Sequence, residues 1–187
     1  MQGKKYPIFT PTQSLSNKGR ADWNSDEAQV YKEWLVRTME QRIGSLRDWI
    51  GIETADDPIV DLEEMGKDVV KLLGSPQFSQ QQDNRLTSEG FALVADMGLL
   101  VAKYLLNFGK EKLKWEVVRN PKNDMSYNLP VLTGFTSKMY LEPVGGSIAE
   151  AQAIVRGEKG ADVWKAMYMF WKEKIKEETF RDGKVVK

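Results

Sequence analysis

Apolar residues recur at intervals of three and four from Tyr31 to Ile50, through Trp34, Leu35, Met39, Ile43 and Leu46. That spacing is the mark of a helix with one buried stripe. Ahead of it stands Asn24-Ser25-Asp26-Glu27, a capping side chain followed by acids that complement the positive end of the helix dipole. The pattern predicts a long amphipathic helix of about seven turns, with Gly44 as a weak point and Gly51 as the stop. A second stripe, Leu62, Met65, Val69, Leu72 and Leu73, follows Asp57-Pro58, which reads as an N-cap with proline at the first helical position. Gly74 ends it. A polar loop over 75–86 leads to a third helix, from Thr87 or Ser88 to about Phe108. This one is apolar around most of its girth, and Gly90, Ala92, Ala95, Gly98 and Ala102 would let neighbours approach closely. A helix apolar on most sides is a central one.

The period then changes. Lys114-Trp115-Glu116-Val117-Val118 is short, aromatic and β-branched, and Asn120-Pro121-Lys122-Asn123-Asp124 is turn material. Segments 129–135 and 139–144 supply two more strands, for a small antiparallel sheet of about three. Gly145-Gly146-Ser147 opens another helix, with Ser147 and Glu150 in capping-box spacing, broken at Gly157 and Gly160. The final helix, about 161–179, carries Trp164, Tyr168 and Trp171 on one stripe and Val163, Met167 and Phe170 on another beside it. The expected fold is α+β: an extended N-terminal arm over 1–23, pinned in part by Tyr6, Ile8, Phe9 and Leu15, one domain over 24–180, and a frayed tail over 181–187.

Composition changes this picture mainly by exclusion. The 187 residues contain no histidine and no cysteine. An imidazole base, a Ser-His-Asp triad, a thiolate nucleophile, a thiolate zinc site and a disulfide are therefore all ruled out. Transition metals that prefer soft or imidazole ligands are not expected, nor is any cofactor. Lysine plus arginine equals aspartate plus glutamate, at 27 each, so no global charge points to nucleic acid or an anionic membrane. The stretch 1–7 lacks the apolar run of a secretory signal. Asp96 and Lys103 interrupt the apolar segment 91–108, which argues against a membrane span. A cytoplasmic location is expected.

Enzyme motifs fail in turn. No two glycines are spaced two apart, so G-x-G-x-x-G is absent, and neither a P-loop nor a G-x-S-x-G elbow occurs. No Ser or Thr has a Lys three residues later. Neighbouring acids such as Asp56-Asp57 and Glu63-Glu64 point about 100° apart on a helix and do not flank a substrate. An oxygen-only Mg²⁺ site could draw on Asp56, Asp57 and Asp61, without EF-hand spacing.

Three features invite a functional reading. From Asp48 to Asp68 there are eight acids and one base, Lys67. Acids at a helix N-terminus complement its dipole, but Asp56, Asp57, Asp61, Glu63, Glu64 and Asp68 could also steer a basic partner. Trp164, Tyr168 and Trp171 are core residues by the amphipathic rule, with room for one aromatic to anchor an interface. Asp96 is the single acid inside a strongly apolar run; it is either at the helix edge, facing solvent or paired with a base, or a buried, shifted carboxylate.

Three segments together, 90–98, 113–117 and 129–132, give a Gly/Ala-studded helix, a strand with central Trp115 and a strand with Pro130. Over about residues 45–175 this plan resembles small uncharacterised bacterial α+β domains, some of them encoded beside toxins as immunity proteins. The resemblance implies no catalytic residue. The expected function is a non-catalytic protein-binding module of immunity type, its partner a basic toxin domain. Two alternatives stand beside it: a homo-oligomeric or phage-derived adaptor, dimerising through the aromatic helix, and a carboxylate- or Mg²⁺-dependent enzyme.

Overall fold

The computed structural model describes residues 5–11, 15, 18–175, 179–181 and 184–186. Helix α1 (Ser25–Ile50) opens with a capping box, in which the Asn24 side chain accepts the Glu27 N–H and the Glu27 carboxylate accepts the Asn24 N–H, both at 2.9 Å. It closes at Gly51, whose φ of +79° favours glycine. Helix α2 (Pro58–Leu73) starts at the Asp57 cap, which accepts the Ile59 N–H at 2.8 Å. Strands β1 (Ser79–Gln80) and β2 (Arg85–Leu86) form a two-residue ladder before helix α3 (Ser88–Gly109), capped by Thr87. These three helices begin and end as the sequence predicts.

Helix α3 is the hub. Its residues 92–102 are all buried, because α1, α2, α4 (Pro143–Val155) and α5 (Val163–Glu173) surround it. By length and composition the stretch Ser88–Lys112 is apolar enough to cross a membrane, with an 18-residue window of mean hydropathy 1.5, and most of that window (72%) lies inside the fold. The small residues act as expected. A Cβ at Gly98 would overlap the carbonyl oxygen of Pro143, so glycine there sets how closely α4 seats on α3.

Past α3 the fold is α+β as expected, but the sheet is smaller than the predicted three strands. Strands β3 (Lys114–Val117) and β4 (Pro130–Thr133) pair antiparallel, Trp115 opposite Leu132. The segment expected as a third strand contributes one bridge, Leu132 to Leu141, and by Pro143 the chain is already helical. The reason is the cap at Glu142. Its carboxylate accepts the N–H groups of Val144 (3.1 Å) and Gly145 (2.5 Å) ahead of a proline at the first helical position. The opening expected at Ser147 is therefore wrong by one turn. Ser147 lies inside α4, fully buried, where its hydroxyl donates to the Val94 carbonyl (2.5 Å) and accepts from the Trp164 indole (2.7 Å).

Helix α5 is shorter than predicted, ending at Glu173. Where a frayed tail is expected, the backbone of β5 (Thr179–Arg181) pairs with β6 (Lys184–Val186). In the arm, Tyr6 and Leu15 are buried and Phe9 packs edge-on against Trp34. Ile8, expected to help pin the arm, is 48% exposed.

Candidate functional site

The buried polar side chains form bridges between elements. Asp96, on α3, is fully buried. The buried alternative holds and the helix edge does not, although the pairing with a base expected there does occur. Arg42 of α1 donates to it through Nε (2.5 Å) and Nη2 (2.8 Å), and the Tyr6 hydroxyl donates at 2.6 Å. Burial pushes the Asp96 carboxyl up to about 6, against the opposing pull of Arg42 and Tyr6. Arg42 also donates to the Pro7 and Ile8 carbonyls at 2.9 and 3.3 Å and lies 4.5 Å from the centre of the Phe9 ring. The arrangement fastens the arm to the helices. No space for a substrate adjoins Asp96 itself, since its carboxylate is enclosed by these partners.

Asp61 has a parallel role and leaves the proposed acidic patch. It is fully buried, chelated by Arg47 at 2.9 and 2.8 Å, and accepts from the Tyr104 hydroxyl (2.8 Å) and the Ala55 N–H (3.1 Å). Burial raises its carboxyl, but these donors outweigh burial and hold it below the usual range. The rest of the patch is divided. Glu63 bonds Lys165 and Lys67, which hold its carboxyl down at about 2. Asp68 pairs with Lys71 at 2.6 Å, and Asp57 caps its helix. Asp56 and Glu64 remain exposed. Glu63, Lys67, Asp68 and Lys71 thus pair along α2, while Asp56, Asp57 and Glu64 keep exposed carboxylates with no ion pair among the described residues. No group of three or more acids close enough to hold a metal ion occurs among the described residues, so Asp56, Asp57 and Asp61 are not brought together as a site.

The aromatic stripe divides as well. Trp164 is completely buried and Tyr168 nearly so, the latter edge-on to Tyr104. Trp171 is half-buried, 4.7 Å from the Phe135 ring. Its neighbour Phe170 is 48% exposed and Met169 44%. The one aromatic with room for an interface is thus Phe170, from the second stripe, beside the half-buried Trp171.

Both border a groove of about 720 Å³ between α4 and α5. Met167, Phe170 and Trp171 line it from α5, Gly146 and Ala149 from α4, and Tyr140 from the preceding loop. Three carboxylates, Glu142, Glu150 and Asp162, stand against one ammonium, Lys159. Their states differ. Glu150 pairs with Lys159 at 2.6 Å. Glu142 holds the α4 cap, and burial pushes its carboxyl up to about 7 against the pull of the two backbone N–H groups and Arg20. Asp162 is exposed, at the N-cap position of α5, and makes no side-chain cap hydrogen bond. Volume and lining fall within the range of ligand-binding clefts, apolar with a few polar groups.

Sequence reasoning missed this groove. Glu142-Pro143 repeats the Asp57-Pro58 signature and could have been read as a helix start. That would have placed Glu150 two turns in, facing the next helix.

Comparison with protein-family profiles, with curated proteins and with solved structures finds no match to this chain.

Proposed function

We propose that the chain is a non-catalytic, cytoplasmic protein-binding module, an immunity protein that neutralises a toxin by covering its active surface. One observation carries the reading. Between α4 and α5 lies an apolar, aromatic-lined groove with carboxylates at its edge, while the buried ionisable groups Asp61 and Asp96 are both tied up in bridges between helices. A binding module needs a rigid scaffold and one accessible, chemically distinct surface, and it needs no reactive group. The groove offers a basic partner an apolar, aromatic-lined recess as well as carboxylates, whereas on α2 three of the six acids, Asp61, Glu63 and Asp68, are already paired.

A second reading, self-association, is favoured by a different observation. Met169 and Phe170 project from α5, and Phe108 at the end of α3 is 51% exposed. Exposed aromatic side chains are common interface anchors.

The test is co-purification from the native cell followed by an assay of the captured partner's own activity. Inhibition at a one-to-one ratio is the expected result. A partner that stays fully active in the complex removes the immunity reading. Light scattering across a concentration series addresses the second reading, which a strictly monomeric mass would remove.

A further inference from the structure

Among the groove's own carboxylates one is left open beside an aromatic lining, and this decides what it can hold. Glu142 is engaged by two backbone N–H groups and Glu150 by Lys159, whereas the exposed Asp162 carries out no capping. Around it the walls are the aromatic Tyr140, Phe170 and Trp171 and the flexible Met167. Carboxylate and aromatic faces together suit a cation on an apolar stem: the charge pairs with the acid, the stem lies on the rings, and the ring faces attract the cation as well. The protein already makes this contact nearby, where the Lys174 ammonium lies 5.2 Å from the centre of the Phe170 ring.

The apolar surface also runs past the groove. Met125, next to the lining residue Ser126, is 86% exposed, and Phe170 is 48% exposed. An isolated small cation would leave both in water, whereas a peptide segment would cover them.

We infer that the groove between α4 and α5 receives an arginine or lysine side chain from an apolar segment of a protein partner, with Asp162 as its counter-ion and Phe170, Trp171 and Met167 as its floor. This rests on the protein-binding reading above and names the chemistry of the contact.

The experiment is a ¹⁵N NMR titration at pH 8, above the Glu142 transition. It uses the synthetic peptide Ac-Ala-Leu-Arg-Leu-Ala-amide and its citrulline counterpart, which has nearly the same shape without the charge. The expected result is shifts centred on the amides of Gly146, Ala149, Gly160 and Ala166, with at least tenfold weaker binding of the citrulline peptide. Asp162→Asn should reduce the affinity for the arginine peptide toward that for citrulline, and Phe170→Ala should weaken both peptides. Both substitutions lie on exposed positions, and the unperturbed spectrum of each variant checks its fold. Three results would overturn the assignment: equal affinity for the two peptides, arginine-dependent shifts located on α2 around Asp56 and Glu64, or no shifts at millimolar peptide. The two levels fail separately. A native partner that binds Asp162→Asn and Phe170→Ala as tightly as wild type overturns the groove and leaves the binding module. A captured partner that remains active overturns the immunity function without touching the peptide result.

Discussion

Removing Arg42 would strand a charge, and its consequence can be worked through from the contacts. In Arg42→Met the stem is replaced by an apolar chain of similar length, while Asp96 loses two of its three side-chain donors and keeps the Tyr6 hydroxyl. Breaking one partner out of a buried pair costs about 3–5 kcal/mol, because the remaining charge sits uncompensated in a poor solvent. The exposed Pro7 and Ile8 carbonyls that Arg42 also contacts can turn to water, so they add little.

The stranded carboxyl has an escape, which is to take up a proton. Its folded value, already about 6 with Arg42 present, rises further without the two interactions that pull it down. A group whose folded pKa lies above its unfolded value favours the fold fully below the unfolded pKa, near 4, and that contribution is lost as pH rises through the folded pKa. The penalty of Arg42→Met should therefore be small at pH 5, clearly larger at pH 7.5, and complete only once pH passes the raised folded pKa. In Arg42→Met/Asp96→Asn no charge is stranded, and the added pH dependence should vanish. Urea unfolding of wild type and both variants, followed by tryptophan fluorescence at the two pH values, gives all six free energies. A loss under 1 kcal/mol for Arg42→Met at pH 7.5, or an equal loss at both pH values, would refute the reasoning.

Three further outcomes follow from the packing. Gly98→Ala should destabilise by at least 1–3 kcal/mol through its clash with Pro143, whereas Gly44→Ala, with nothing within 4 Å, should stabilise by about 1 kcal/mol through helix propensity; chemical denaturation of both checks the contrast, and a destabilised Gly44→Ala would contradict it. Trp164→Ala should cost about 3–5 kcal/mol and Trp171→Ala, half-buried, roughly half of that; the reverse order in thermal melts would show that the stripe has been misassigned. Because the folded Glu142 carboxyl is raised to about 7, wild type should lose stability between about pH 4.5 and 7 relative to Glu142→Gln; a difference between the two that does not change with pH would show that Glu142 is ionised throughout.

The helices were legible because their signals are local. Asn24 with Glu27, Asp57 with Pro58, Thr87 and Gly51 each fix an end through groups a few residues away. The strands were harder to place, because β3 and β4 are four residues each and the fate of the Leu141 segment depends on a helix start immediately after it. Asp61 went unread as a buried residue although a trace existed. It stands four before Met65 and eight before Val69 on the stripe of α2, while Arg42 and Arg47 interrupt the stripe of α1 at matching positions. An ionisable residue on an apolar stripe calls for a partner, and two such stripes offered partners to each other. Asp96 was visible as an anomaly for the same reason, but its pairing with Arg42 and Tyr6 spans 54 and 90 residues, beyond the reach of any periodic pattern. The groove was the least legible part. Its walls come from two helices joined by a loop, and Phe170 could be told from core aromatics only by knowing which face of α5 meets α2 and α3.

The most direct test of the account is the hydrogen-exchange footprint of the native partner on this chain. Docking at the groove predicts protection of amides in 143–155 and 160–171, with 56–68 unchanged. Protection confined to 56–68, with the groove exchanging as in the free protein, would contradict it.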